Sequence, residues 1–440
     1  MLQLLITCIK LQRAEQNNNF KSLIIAYEAG RKVDLHSVLK YELMPVPVVL
    51  AEMNGSLRTG QKSILADVIT SRMNCPFEIE LRGSSGLLID GLALVSAIGR
   101  PPGSQTFGDF AESFQAAALQ PGSRYQQIHV VFDHYQEDSI KSGTRERRTT
   151  STRPIRRVIE DGSVPLPHSW PDFLALPDNK SDLARFLSEH IIVNAPPDKV
   201  VVAAGGFVDE REVQSSERAT DLSALKATHE EADTRLIVHC VNSNLDNIVV
   251  SARDTDVLLL LIEQVPHIPC PNLYMMSGTA TKRKYFNIRA IYENLPAGSV
   301  SALLPFHALT GCDTCNHSKK SAWKVFLGHH KLLSSLGEGE LTEEKMEKVE
   351  EFVCKMYKLD SIGSVDEARA ILFSKKGKPE ALPPTSDASS LHVKRVHYQA
   401  IVWKQAHCQE PHLPDPETLG WKKIADNKLR PLLMTQDPIL

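Results

Sequence analysis

Five short apolar runs, each leading toward a segment long enough for a helix, dominate the sequence from residue 86 onward. LLID (87–90) leads into GLALVSAIGR, IHVVFD (128–133) into a charged stretch, and KVVVAA (199–204) ends at Gly205-Gly206. NIVVSA (247–252) leads into RDTDVLLLLI, and NLYMM (272–276) makes the fifth run. Runs of four to six apolar residues, rich in Val and Ile and lacking polar alternation, suit strands covered on both faces, which is the condition of a parallel sheet. The expected fold class is therefore α/β: a mainly parallel, twisted sheet over 86–312 with helices on both faces. The strands from 87, 128 and 247 should be central neighbours.

The flanks read differently. Residues 1–80 carry no sharp motif; Pro45-Val46-Pro47 breaks them and Asn54-Gly55 signals a turn. They are read as an N-terminal extension to a core over 81–312. A helical region follows over 313–380, with helices at 318–328 and 341–358, the latter showing Met346, Val349, Val353 and Met356 at helical spacing. Pro383-Pro384-Thr385-Ser386 reads as a linker that opens a C-terminal tail, 381–440. No internal repeat is visible.

A chain of 440 residues with 42% hydrophobic and 23% charged residues is globular in composition, which excludes wholesale disorder. The net charge of −3 excludes a uniformly basic nucleic-acid coat but leaves room for a basic patch. Eight scattered cysteines do not make a disulfide framework, and Cys312-x-x-Cys315 has no second pair at a standard zinc spacing. The opening MLQLLITCIKLQR lacks a basic leader and a small-residue cleavage site, so no signal peptide is expected. No run approaches the ~18 apolar residues of a membrane span. The expectation is an intracellular, reduced chain without a membrane partner.

The acids fall at informative places. Asp90 closes LLID, Asp133 closes VVFD, and Asp254 and Asp256 follow IVVSA. HEEADTRL (229–236) places Glu230, Glu231 and Asp233 at the start of a helix, and LLPFHALTGCDT (303–314) reaches Asp313. Any one of these acids is more often a helix-dipole partner than a ligand. Together, at the carboxyl ends of parallel strands, they would repel one another unless a cation compensates them. An all-oxygen donor set of this kind suits Mg²⁺ or Mn²⁺.

The order ID, VFD, E-A-D, DTD and GCD resembles the flap endonuclease/XPG-type branch of the PIN-like nucleases, over about residues 86–328. The chain also resembles a set of animal proteins bearing H-E-E-A-D-T-R, D-T-D-V and L-P-F-H-A-L-T-G-C-D. Carried over by position, the family resemblance implies two metal ions held by Asp90, Asp133, Glu231, Asp233, Asp254, Asp256 and Asp313. Glu230 competes with Glu231 for its place, because Glu230 and Asp233, three apart, share a helix face better. DSIKSGTRERR (138–148) resembles the family's LKSGELAKR segment, which makes Lys141 and Arg148 the residues that reach the scissile phosphate. Residues 139–157 hold seven basic residues against one acid, Glu146, so 138–157 reads as an arch-like basic segment with Arg145 and Arg147 on nucleic acid. The alternative for this stretch is a solvated helix or a nuclear-import signal.

The sequence departs from the family in two ways that bear on function. About ninety residues precede Asp90, where the family begins almost at its first strand. DTCNHSKKSAW lacks the glycine-spaced turn that grips duplex backbone, leaving Lys319, Lys320 and Lys324 as candidate phosphate contacts. Two functions follow. One is a divalent-metal-dependent, flap-like nuclease, with nucleic acid as partner (DNA before RNA) and a nuclear setting. The other is an inactive nucleic-acid-binding or scaffold protein on the same fold.

Overall fold

Period-two alternation along the central strands divides their side chains between two cores, so helices must cover both faces. The computed structural model describes residues 29, 34–71, 73–122, 124–134, 154–278, 281–311, 318–376, 381–424 and 428–438. Seven strands form one sheet: β1 (Ser85–Asp90), β2 (Gln127–Val131), β3 (Val200–Ala204), β4 (Val213–Ser215), β5 (Asn247–Ser251), β6 (Asn272–Ser277) and β7 (Lys284–Asn287). Their order is β4-β3-β2-β1-β5-β6-β7; β3 to β6 through the centre are parallel, and only the edge strands β4 and β7 run antiparallel. All five apolar runs are strands, and β2, β1 and β5 are the adjacent trio expected from the sequence.

The helices of eight or more residues are α1 (Ser63–Thr70), α2 (Gly91–Ile98), α3 (Phe107–Gly122), α4 (Pro177–Val193), α5 (Ala232–Val241) and α6 (Thr255–Glu263). The series continues with α7 (Leu303–Gly311), α8 (Lys319–His329), α9 (Glu343–Met356), α10 (Val365–Lys376) and α11 (Ser386–Lys404). Leu87, Ile89, Ile128, Val130 and Val249 pack with Val95, Phe110, Phe114 and Leu187 of α2, α3 and α4. Leu88, Val131, Ile248 and Val250 face the other way, into a core with Leu236, Leu259 and Phe306 of α5, α6 and α7. Each fully buried Val, Leu, Ile or Phe contributes about 1.5–3 kcal/mol, so both faces are strongly specified.

Both flanks pack onto the core. Leu39, Leu43, Val49 and Leu65 of residues 34–71 lie in the same core as β5 and α6. Arg369 of α10 donates to Leu39 O at 2.8 Å and stands 3.7 Å from Glu42, whose Oε1 accepts from Thr385 N at 3.0 Å. Residues 382–385 are buried and are no linker; Thr385 caps α11 by accepting from Ala388 N. Helix α11 then runs against α7, with His392 Nε2 3.1 Å from Leu309 O. Composition misleads here because two prolines fit a buried, extended approach to a helix as well as a solvated hinge.

His229 and His239, near the two ends of α5, are buried. His229 Nε2 lies 2.6 Å from Cys408 O, and His239 Nδ1 lies 2.8 Å from His129 Nδ1. Among the described residues Cys75, Cys240, Cys270, Cys354 and Cys408 are free thiols, and no helix is long and apolar enough to cross a membrane.

Candidate metal centre

From β1 the chain winds outward through β2 to β3, then returns to the opposite side of β1 with β5 and β6. The β1/β5 boundary is thus the switch point of the sheet, and ligands of open α/β sheets bind outside the carboxyl ends of strands at such a boundary. Asp90 ends β1 on one side of it, and Asp254 lies three residues beyond β5 on the other.

Local folding aims the acids. Asp90 caps α2, its Oδ1 accepting from Ala93 N at 2.9 Å. Asp133 Oδ1 accepts at 2.8 Å from Ala232 N, the first residue of α5, and so supplies a terminal acceptor that Glu231, the residue before the helix, does not. Asp254 caps α6 and accepts from Asp256 N at 3.0 Å. Asp254 and Asp256 therefore converge through a helix cap, β5 having already ended at Ser251. Just beyond β3, Gly205 adopts φ +80°, where a Cβ would strike Phe132 O at 2.0 Å; glycine here lets the chain turn beside Asp133.

Asp233, Asp254 and Asp256 each offer a carboxylate oxygen, and the three oxygens lie within 4.8 Å of one another. Burial pushes the Asp90 carboxyl up to about 6; its Ala93 hydrogen bond opposes this, while the charges of Asp133 and Asp254 add to it. Asp90 and Asp133 thus belong to the same electrostatic neighbourhood as the triad, and crowded carboxylates of this kind are the donor set of a hard divalent cation.

Asp256 is held from two further directions. His307 Nε2 and Lys62 Nζ each approach it at 2.6 Å, on Oδ1 and Oδ2 respectively, and Lys319 Nζ lies 3.0 Å from His307 Nδ1. An ammonium has no acceptor, so Nδ1 of His307 must accept and Nε2–H must donate to Asp256. The imidazole is therefore neutral, in keeping with burial that pushes its pKa down to about 4. Burial alone would raise the Asp256 carboxyl, but the His307 hydrogen bond and the Lys62 charge hold it well below the usual carboxylate range.

Other expected site residues are placed as follows. Glu231 stands at the start of α5, outside the close triad. Lys319 does not present a surface cation: it is buried, 4% exposed, and its ammonium serves His307 while lying 5.8 Å from the centre of the Phe306 ring. Lys320 and Lys324 are exposed on α8. Lys141, Arg145, Arg147, Arg148 and Asp313, with Cys312 and Cys315, lie outside the described residues. At the end of the basic segment, Arg156 is engaged by Asp182 at 2.8 Å and Asn179 at 2.9 Å. A cavity of about 210 Å³ opens beside Asp133 and is lined also by His134, Asp182, Arg185 and Phe207.

Asp90 yields a signed prediction about the metal-free protein. Its raised carboxyl is penalised when ionised in the folded state. That penalty is fully present above about pH 6 and disappears as pH falls below the unfolded value, 3.8. Asp90→Asn, which keeps the acceptor for Ala93 N, should therefore raise thermal stability at pH 7–8, by roughly 1–3 kcal/mol. The gain should shrink toward pH 4. A stability difference that does not change between pH 4 and pH 8 would remove this account of Asp90.

No family model matches the chain, and no curated protein matches it in sequence. Among solved structures, the chain is similar to the T5 5′-exonuclease with bound divalent metal ions (zinc), at 14% identity over 65% of this chain and 93% of that one, with a TM-score of 0.34. It is also similar to the bacteriophage T5 flap endonuclease in a pseudo-enzyme–product complex with DNA and metal ions. That match has 13% identity over 72% of this chain and 99% of that one, with a TM-score of 0.35.

Proposed function

We propose that the chain is a divalent-metal-dependent nuclease that hydrolyses phosphodiester bonds at the carboxyl edge of β1, β2 and β5. The observation that carries this reading is the Asp233–Asp254–Asp256 group beside Asp90 and Asp133 at the switch point of the sheet. The order of acidic motifs shared with the flap endonuclease branch supports it. Asp233, Asp254 and Asp256 would hold an ion, Mg²⁺ or Mn²⁺, with Asp90 and Asp133 able to serve a second. Glu231 and Asp313 join the ligand set by the resemblance.

A divalent ion held there supplies positive charge to the phosphoryl transition state and activates the attacking water. The chain supplies the rest. Asp254 and Asp256 are oriented by their shared cap, and His307 fixes one Asp256 oxygen so that the carboxylate cannot rotate. Lys141 and Arg148 are assigned to the scissile phosphate, and Arg145, Arg147, Lys320 and Lys324 to flanking phosphates, with DNA as the preferred partner.

The test is cleavage by the full chain of branched, single-stranded and duplex DNA and of RNA, with Mn²⁺ or Mg²⁺ and with chelator. Asp233→Asn removes one ligand from a partly exposed position. Partners one layer outside a metal site typically cost ~10–100-fold, so loss of this ligand should cost at least that much in rate while nucleic-acid binding persists. Binding without metal-dependent cleavage of any substrate would favour the inactive binding protein. The capture of both Asp256 oxygens by protein donors is the observation on that side.

A further inference from the structure

Lys62 immediately precedes α1 and reaches Asp256 across 194 positions of sequence. Its ammonium sits 2.6 Å from Oδ2 with its side chain 35% exposed, whereas His307, on Oδ1, is fully buried. Oδ2 is thus the oxygen of Asp256 on which an exchangeable cation already stands. A divalent ion seated among the oxygens of Asp233, Asp254 and Asp256 meets that ammonium at the same carboxylate, and two cations sharing one oxygen at contact distance repel strongly. Lys62 can yield where His307 cannot, because a lysine head rides on a flexible four-carbon stem. The nearby backbone tie of this segment, Gly60 N to Gly311 O, is long at 3.3 Å.

We infer that Lys62 is a built-in counter-cation that a divalent ion displaces from Asp256 Oδ2, so that Lys62 sets the metal affinity of the centre. The inference rests on the metal-centre reading above. It assigns Lys62 a part in metal loading that nothing in the order of acidic motifs announces.

The experiment is a Mn²⁺ titration of the full chain, followed by the spin-resonance signal of free Mn²⁺. Lys62→Met should bind Mn²⁺ about tenfold or more tightly than the wild type, because a competing unit charge at contact distance has been removed. Lys62→Arg keeps the charge and should stay within about threefold of wild type. Unchanged or weaker binding by Lys62→Met overturns the inference but leaves the metal centre standing. Absence of Mn²⁺ binding in both wild type and variant defeats the metal-centre reading, and the inference with it. A second measurement needs no variant: acylation of Lys62 in the wild type, followed by mass spectrometry, should speed up when Mn²⁺ is saturating. Equal or slower labelling overturns the displacement of Lys62.

Discussion

Asp256→Ala is expected to abolish metal binding and also to destabilise the fold by roughly 3–5 kcal/mol, the usual cost of removing one partner from a buried charged network. The carboxylate is the acceptor for a fully buried His307 and for Lys62, and through His307 it supports the nearly buried Lys319. Without it, a buried N–H loses its acceptor and Lys319 sits on an imidazole with no acid behind it. Urea unfolding with excess chelator measures the effect apart from any bound ion. The carboxyl is held below its unfolded value of 3.8, so its contribution is fully present above that pH. The gap between wild type and variant should narrow only as the pH falls below about 4. Asp233→Asn is the comparison: it neutralises a triad carboxylate at a partly exposed position and should lower the unfolding midpoint less than Asp256→Ala does. Equal midpoints for wild type and Asp256→Ala would mean that Asp256 is a ligand alone and that the network around it is incidental.

The second large effect is expected at Arg235, on the buried side of α5. Its side chain is fully buried; Nη1 donates to Glu210 O and Ala227 O at 3.0 Å each, and Nη2 to His229 O at 2.5 Å. Burial lowers its pKa to about 10, so it remains a cation at neutral pH, near Asp133 and Glu210. One side chain thereby ties the segment between β3 and α5 to the helix whose first amide docks on Asp133. Arg235→Met keeps much of the volume but leaves three buried carbonyls without a donor, at a cost of about 2–4 kcal/mol. The metal centre should loosen with it, because the position of Asp233 depends on where α5 begins. A melting temperature within a degree of wild type would show that these carbonyls find other donors and that Arg235 does not hold the loop.

The sheet was legible because its cause is local. Leu87 to Ile89, Val130 to Phe132 and Ile248 to Val250 are uninterrupted apolar runs, since both faces of each strand are covered, and such runs are recognisable without knowledge of the partner. The edge strands β4 and β7 were not legible. At three and four residues, each with a single buried side chain, they are defined by the strands they pair with. A spacing of two, as between Asp254 and Asp256, fits a strand end as well as the capped first turn of a helix, so the cap was not legible from the spacing. Pro383 to Ser386 misled because proline reports backbone shape and says nothing of burial.

Contiguous residues dictate the parallel sheet and put Asp90, Asp133 and Asp254 at its carboxyl edge. Strand direction and hydrophobic period are properties of contiguous residues, and an acid that closes a parallel strand must emerge at that edge. The surroundings of Asp256 come instead from long-range packing. Lys62 arrives from 194 residues away, His307 stands inside an apolar helix, and Lys319, which the sequence offered as a phosphate contact, turns inward to fix the histidine tautomer. Charge pairing falls off with distance through space and is indifferent to separation along the chain, so no local pattern encodes it. The packing of residues 34–71, α7 and α8 onto the core that holds α6 created these partners for Asp256.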